Sequence, residues 1–509
     1  MLKLFFTFLI TLIWISPPCS ANTYVKSMYS LPLTFDPIKM NDVASLAAAN
    51  LIYDGLLKFS PSLEIQEALA ESWSTSTDGK TLTFKLRPDI KFHDGTPITA
   101  DDVVYSLARA VTPESTVRKY YDCIQGVDEK NGTQDISKVG IRAKDFRTVE
   151  IKLKNPFPAF ISILAGATAK ILPMKYKDTK AFFDSPVGSG AFRFSSTDTA
   201  NKKMTLEAFD SYYQGRSKLD KMVLVESSEV EAIKMARKNE VLDLVSWPLN
   251  PKDPVFQSGK KITSPVTATW IIGLNTKVAP FNSLEARKAF KKTLDNEGFR
   301  KKFYPDAYQA FGYIPPGLPG YIDGTYIKTV PTKSSRSKVV KQKITIVIPQ
   351  ELSDANEMKA FLEDNLKGNG WNVDVVPMAW DKLMEGYAKK KHQAFLVSMN
   401  MDYPDAEFLL RNFESNNPDN FSGLNNKKLD ALIASSRNET DKVKRATLYK
   451  ETIKLLDDSS VTINLFHPRS NYWISNCVNG FNPNVLSEVY IDYTKVSIDE
   501  ACMKNGGKI

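Results

Sequence analysis

Histidine and cysteine are scarce in this chain of 509 residues, which holds three histidines and four cysteines. The histidines are His93, His392 and His467, and no two of them stand at the short spacing that zinc sites use. The cysteines do not form paired CxxC motifs either. We therefore expect no metal site in this protein.

Motifs of catalysis are also missing. Gly188-Ser189-Gly190 is not followed by the Lys-Ser or Lys-Thr of a phosphate-binding loop. Ser189 lacks the glycines two residues to either side that a nucleophile elbow requires. Acidic pairs such as Asp101-Asp102 fall on predicted helices, where capping and solvated faces are the usual roles. The sequence thus predicts no catalytic residues, no cofactor and no enzymatic activity.

Blocks of five or six like charges are absent, although the net charge is +9. Short basic runs such as Lys389-Lys390-Lys391 are typical of solvated helix faces. We therefore expect no nucleic-acid partner. A weak surface preference for anionic partners stays open.

Long apolar runs are limited to the N-terminus, where residues 4–15 follow Lys3 and precede the prolines Pro17 and Pro18. A run of about a dozen residues is too short for a membrane span, which needs about twenty. A positive start, a short apolar stretch and a small residue such as Ala21 form the layout of a secretory signal peptide. We expect cleavage after residue 21 and export to the periplasm.

Cys19 raises the alternative of a lipid anchor, since bacterial lipoproteins are cut immediately before a cysteine. Ser16 and Pro18 fit the residues that normally precede such a site poorly. A protein without the anchor is therefore favoured.

Cys123, Cys477 and Cys502 remain after cleavage. In an oxidising compartment we expect one disulfide, and we pair Cys477 with Cys502 because both lie near the C-terminus. Cys123 is then expected to be a buried thiol.

Strand and helix patterns alternate along the whole chain. Residues 81–86 carry apolar side chains at every second position, and Asp78-Gly79 before them predicts a turn and a hairpin with the segment around Trp73. Thr99, three residues before Asp102, predicts a capped helix start. Interleaved elements favour α/β lobes, and the chain length favours two or three domains. Further strands are predicted at 149–153, 204–208, 222–225, 344–348 and 373–376, and helices at 229–238, 283–294, 356–366, 380–389 and 442–457.

The most specific pattern lies between Ala70 and Ser106 and consists of Ala70-Glu71-Ser72-Trp73, Asp78-Gly79-Lys80, Phe84-Lys85-Leu86-Arg87 and the run 92–106. Further motifs are spread along the chain: Val187-Gly188-Ser189-Gly190, Tyr213-Gln214-Gly215-Arg216, Ile314-Pro315-Pro316-Gly317, Asp402-Tyr403-Pro404-Asp405 and Asn420-Phe421-Ser422-Gly423. The pattern between Ala70 and Ser106 resembles the hallmark segment of the family 5 extracellular solute-binding proteins, the oligopeptide-, dipeptide- and nickel-binding receptors of ABC importers, and the further motifs also resemble this family.

The resemblance implies an α/β, two-lobed periplasmic binding protein of class II, cluster C, with an extra domain on one lobe and a hinged cleft. By analogy, residues 22–60, 187–273 and 478–509 form lobe I, residues 61–186 form the extra domain II, and residues 274–477 form lobe III. The implied function is capture of a small peptide in the closing cleft for import by an ABC permease and ATPase complex, by a monomeric receptor. Alternatives are a receptor for a non-peptide solute (a sugar, an opine or a metal chelate) and a chemosensory binding protein.

The same resemblance implies the site. Peptide-binding relatives hold the ligand's ammonium group with a carboxylate that matches Asp402, in a segment with Met399, Asn400 and Tyr403. Met399 replaces a tryptophan that is common in peptide binders, so the pocket is expected to be looser or differently specific.

Two residues carry open alternatives, and one conspicuous pair has an expected structural role. Asp402 could instead cap the following helix, a role that Asp405 fits better because it stands nearer the helix start. Trp270 is expected either as an aromatic wall of the cleft or as a core residue. The conspicuous His93-Asp94 pair in domain II is expected to serve turns and packing.

Overall fold

The computed structural model describes residues 22–177, 179–246, 254–324 and 342–504. The predicted signal peptide, residues 1–21, lies outside these ranges. No helix in the ranges is both long and apolar enough to cross a membrane.

Strands and helices alternate through the described ranges. The strands are β1 (Thr23–Met28), β2 (Leu57–Phe59), β3 (Ile65–Glu67), β4 (Ala70–Thr75), β5 (Thr81–Leu86), β6 (Ile141–Asp145), β7 (Thr148–Lys152), β8 (Phe192–Asp198), β9 (Lys203–Ala208), β10 (Lys221–Glu226), β11 (Asp243–Ser246), β12 (Lys260–Pro265), β13 (Ala268–Leu274), β14 (Tyr308–Gln309), β15 (Ile344–Pro349), β16 (Val373–Met378), β17 (Ala394–Asn400), β18 (Thr462–His467), β19 (Arg469–Ile474), β20 (Val478–Asn479) and β21 (Ser497–Ile498). The α-helices are α1 (Val43–Ile52), α2 (Ala100–Ala110), α3 (Phe160–Leu164), α4 (Glu229–Arg237), α5 (Leu284–Thr293), α6 (Asn296–Phe303), α7 (Ala355–Gly368), α8 (Trp380–Ala388), α9 (Ala406–Leu410), α10 (Lys427–Asn438), α11 (Lys442–Ser459) and α12 (Glu500–Lys504).

Local sequence signals place several of these elements correctly. β5 coincides with the predicted strand and pairs with β4, where Trp73 faces Phe84, as the Asp78-Gly79 turn indicates. Thr99 and Asp102 form a reciprocal capping box at the start of α2. In such a box each side chain satisfies a backbone N–H that has no partner inside the helix. The predicted helices in the second half of the chain agree with the structure within two residues at each end.

Lobe I is built on a seven-stranded sheet with the strand order β12-β19-β11-β1-β10-β9-β8. β1 lies parallel to both of its neighbours, β10 and β11. Helix α1 packs on one face of the sheet with residues of the C-terminal segment, and α4 packs on the other face. Both helices follow the carboxyl end of a central strand, so this end of the sheet lies between two helix starts.

Lobe III is built on a six-stranded sheet with the order β14-β18-β13-β17-β15-β16. Apolar side chains of α5, α6 and α7 cover one face of this sheet, and those of α8 to α11 cover the other. Domain II holds a four-stranded antiparallel sheet, β4-β5-β7-β6, packed against α2 and α3.

Sheet membership corrects the expected boundaries of the lobes. β13 was expected in lobe I and β19 in lobe III, but each pairs with the opposite sheet. The chain therefore crosses at Val266-Thr267 and again at Pro468, and the Val266 N–H donates to the Pro468 carbonyl at 3.1 Å. Short extended linkers leave no break in the apolar pattern, so the pattern alone does not reveal a crossing. The β2–β3 hairpin also straddles the boundary expected at 60/61.

Cys477 and Cys502 form a disulfide that ties α12 to the end of the lobe I sheet. The segment between them supplies core residues to lobe I, among them Val489 and Tyr493. Cys123 is a free cysteine, and burial raises the pKa of its thiol.

Candidate functional site

The segment that follows β17 carries the predicted ligand anchor. β17 ends at Asn400, a turn of Met401 to Pro404 follows, and α9 begins at Ala406. Met401 and Tyr403 are buried while Asp402, between them, is exposed. The alternation turns the Asp402 carboxylate away from the lobe III core.

Asp405 rather than Asp402 caps the helix, which confirms the prediction from sequence. The Asp405 side chain accepts a hydrogen bond from the Glu407 N–H at 3.0 Å. Arg445 also donates to this carboxylate, and the Tyr449 hydroxyl donates to it at 2.6 Å. Asp405 is therefore fully engaged in holding the turn, and Asp402 is left available.

Asp402 meets domain II across the gap between the lobes. The Tyr120 hydroxyl donates a hydrogen bond to Oδ2 of Asp402. Burial raises the pKa of Tyr120, and the negative charge of Asp402 raises it further. A tyrosine held in its neutral form at this position keeps a hydrogen-bond donor directed at the carboxylate.

Lobe I contributes a second tyrosine to this region. Burial raises the pKa of Tyr490 to about 12, and the nearby charge of Asp402 also raises it. The Tyr490 hydroxyl accepts from the Ala167 N–H at 3.1 Å, which fixes the ring between lobe I and domain II. Asp402 thus lies where lobe III, domain II and the C-terminal segment of lobe I come together.

Tyr403 is only 2% exposed and serves the contact between lobe III and domain II. Its ring packs edge-on against Tyr120, and its hydroxyl donates to Glu407 at 2.5 Å. Glu407 is itself buried and ion-paired with Arg437 at 2.8 Å. The sequence grouped Tyr403 with the ligand contacts, and the structure assigns its hydroxyl to this buried network.

Met399 and Asn400 stand at the end of β17. Met399 is half-buried against the lobe III core, and Asn400 is exposed. β13 pairs with β17 along its whole length, whereas β15 pairs with it only at Ala394 and Phe395. Within the described ranges, the last residues of β17 therefore have a neighbouring strand on one side alone.

Trp270 does not form a wall of the cleft, which corrects one of the two expectations for it. The side chain is 5% exposed and belongs to the core of lobe III. Its indole stacks on Phe466 with ring centres 5.8 Å apart. β13 directs alternate side chains to opposite faces of the sheet, and Trp270 falls on the face covered by α5 to α7.

His93 and Asp94 serve packing and turn formation, as predicted. His93 Nε2 lies 2.9 Å from the Gly190 carbonyl oxygen, and Nδ1 accepts from the Gly188 N–H at 3.2 Å. Asp94 accepts from the Thr96 N–H at 3.0 Å within the turn. His93 thus joins domain II to lobe I, whereas Asp94 holds its turn and pairs with Lys175 within domain II at 2.7 Å.

Tyr120 and Tyr490 are the residues that sequence reasoning missed. Tyr120 is 282 positions from Asp402 in the chain, so no local pattern links the two. No group of three or more His, Cys, Asp or Glu side chains in the described part of the chain is arranged to hold a metal ion. The arrangement offers an exposed carboxylate, phenol donors and an open strand edge, which suit recognition of a ligand.

Comparison with known proteins identifies a family. The model for bacterial extracellular solute-binding proteins, family 5, matches residues 64–421. The periplasmic oligopeptide-binding protein OppA of Escherichia coli K12 is 26% identical over 499 residues, covering 90% of this chain and 90% of the relative. The dipeptide-binding protein DppE of Bacillus subtilis 168 is 28% identical over 466 residues, covering 86% of this chain and 84% of the relative.

Solved structures share the fold. The periplasmic murein tripeptide-binding protein MppA, in its unliganded open form, superposes with a TM-score of 0.79 at 20% identity, covering 94% of this chain and 98% of the other. Haemophilus influenzae OppA in complex with the peptide RPPGFSPFR gives a TM-score of 0.74 at 22% identity, covering 94% and 99%.

Proposed function

This chain belongs to the bacterial extracellular solute-binding proteins of family 5, and we propose that it captures peptides between its lobes and delivers them to an ABC importer. The function is that of a receptor that performs no chemistry on the ligand. The peptide-binding names of its relatives support this proposal.

One observation carries the peptide assignment. Asp402 presents an exposed carboxylate where lobe III, domain II and the C-terminal segment of lobe I meet. The nearby Asp405, and not Asp402, caps α9. A peptide's terminal ammonium needs a carboxylate when it is enclosed, because an unpaired buried charge costs several kcal/mol. Asp402 is the anchor for that ammonium group, and Tyr120 and Tyr490 border it.

The open edge of β17 offers a way to hold the peptide main chain. Extended peptides bind exposed strand edges through backbone hydrogen bonds, which recognise the main chain independently of side chains. The last residues of β17, Met399 and Asn400, lead directly to Asp402. A peptide anchored there adds to β17 as a further strand, with Met399 and Asn400 beside its first side chains.

Delivery requires partners and a compartment. We place the protein in the periplasm, exported by its N-terminal signal peptide, and pair it as a monomer with an ABC permease and ATPase complex. The linkers at Val266-Thr267 and Pro468 are the hinge about which lobe III closes on the ligand.

The test begins with protein purified natively from the periplasm, denatured to release bound molecules and analysed by mass spectrometry. Short peptides with free amino termini are the expected result. Calorimetry with a released peptide and its N-acetylated form then tests the anchor, and the acetylated form is expected to bind at least tenfold more weakly. Recovery of one discrete non-peptide molecule would retire the peptide assignment.

A further inference from the structure

A cavity of about 330 Å³ opens at the carboxyl ends of β1, β10 and β11 in lobe I, and we call it the strand-end pocket. In open α/β sheets, ligands bind in crevices outside the carboxyl ends of the strands. The starts of α1 and α4 flank the cavity on the two faces of the sheet. The lining residues are Ser27, Met28, Tyr29, Ser30, Asp42, Val43, Ala44, Ser227, Glu229, Ala232, Ile233, Leu244 and Glu488.

The strand-end pocket combines an apolar wall with acidic charge. Three of its lining residues, Asp42, Glu229 and Glu488, are acidic and none is basic. Lys26 pairs with Glu488 at 3.2 Å, but the same ammonium group already pairs with Asp243 at 2.8 Å. One cation between two carboxylates leaves negative charge at the pocket.

Asp42 adds an unsatisfied oxygen. Its Oδ1 caps α1 by accepting from the Ser45 N–H at 2.8 Å. Its Oδ2 is enclosed and has no hydrogen-bond partner among the described residues. The protein therefore satisfies only one oxygen of this carboxylate, which adds to the negative charge at the pocket.

The mouth of the strand-end pocket exposes large apolar side chains. Tyr29 is 77% exposed and Val43 is 50% exposed, and both line the cavity. Leu33 and Val230, next to the lining segments in sequence, are exposed as well. Apolar surface around an acidic pocket suits a group with a hydrocarbon stem and a cationic head.

A single turn of 3₁₀-helix connects this pocket to the peptide anchor. The turn begins at Glu488, which lines the cavity, and ends at Tyr490. The charge of Asp402 contributes to the raised pKa of Tyr490. The backbone gives a second link, because the Met401 N–H donates to the Thr267 carbonyl, and the Thr267 N–H donates to the Val485 carbonyl. The C-terminal segment of lobe I therefore contributes both to the lining of the pocket and to the surroundings of Asp402.

We propose that the strand-end pocket receives a basic side chain of the bound peptide, with its methylene groups against Met28 and Ile233 and its cationic head toward Asp42, Glu229 and Glu488. This inference rests on the proposed peptide-binding function. It assigns the receptor a preference for peptides that carry lysine or arginine at one position near the amino terminus.

Calorimetry with a matched peptide set tests the preference. The set consists of tetra-alanine and variants with lysine, or with uncharged norleucine, at each position in turn. We expect one position at which lysine binds about tenfold more tightly than norleucine. Glu229→Gln and Asp42→Asn are each expected to reduce this preference, and asparagine preserves the cap of α1. Glu297→Gln, which removes an exposed carboxylate from α6 in lobe III, is the matched control.

The outcomes separate the two proposals. Binding of tetra-alanine without a preference for lysine over norleucine at any position overturns the strand-end pocket and leaves peptide capture standing. A preference that survives both pocket variants also overturns it. Failure of every peptide to bind overturns peptide capture and the pocket together. Melting curves of each variant verify that the fold is intact.

Discussion

Replacing Asp402 with asparagine isolates the charge of the proposed anchor. Asparagine keeps the size and one carbonyl oxygen of the side chain, so the Tyr120 hydroxyl retains an acceptor. What disappears is the negative charge that a peptide ammonium would meet. We expect Asp402→Asn to weaken binding of a free-amine peptide and to leave an N-acetylated peptide unaffected.

The size of the effect follows from where Asp402 lies. Exposed ion pairs contribute about 0.2–1 kcal/mol, whereas removing one partner of a buried, hydrogen-bonded pair costs about 2–5 kcal/mol. Asp402 is exposed in the structure, but the half-buried Tyr120 and Tyr490 border it and a bound peptide would cover it. The expected loss is therefore about 2 kcal/mol, or roughly 30-fold in Kd.

A thermodynamic cycle measures the interaction itself. Calorimetry of both proteins with both peptides gives four affinities, and their combination isolates the coupling between Asp402 and the ammonium group. The pairing raises the pKa of the bound amine, so affinity is retained below the free-amine pKa of about 8 and declines as pH rises above it. Asp402→Asn should lose this pH dependence. Coupling near zero, or an equal loss in an Asp381→Asn control on α8, would refute the assignment of the anchor.

Three further results are expected from the packing of the lobes. Trp270→Leu should lower the free energy of unfolding by about 2–3 kcal/mol and leave peptide affinity within about twofold, because the indole lies in the lobe III core. A large loss of peptide affinity in calorimetry would instead indicate that Trp270 contacts the ligand. Cys502→Ser should lower the free energy of unfolding by up to about 3.5 kcal/mol, the closure entropy of the loop from Cys477 across a separation of 25 residues, and urea titration of oxidised and reduced protein checks this. Burial lowers the pKa of His467 to about 4 in the folded protein. As pH falls below about 6.5, the imidazole therefore binds a proton in the unfolded chain before it does so in the folded protein. Stability should then decrease by about 3 kcal/mol between pH 6.5 and 4, and His467→Asn should show a flatter decrease in chemical denaturation.

Local structural elements and the protein family could be predicted from the sequence. The β5 alternation, the Asp78-Gly79 turn and the Thr99–Asp102 capping box are short-range effects, since each depends on residues within a few positions of one another. The assignment of the helix cap to Asp405, with Asp402 left exposed, likewise followed from position relative to α9. The hallmark pattern from Ala70 to Ser106 was specific enough to identify the family.

The tertiary structure decided which strand joins which sheet and which side chains meet. β13 and β19 join the sheets opposite to the lobes expected for them, because their strand partners lie more than a hundred residues away and the linkers at Val266 and Pro468 leave no gap in the apolar pattern. An apolar tryptophan at a strand position suits a core and a cleft wall equally, and the layer of helices over β13 buried Trp270. Tyr120 and Asp402 meet because domain II packs against lobe III, a contact between distant segments that no local periodicity encodes.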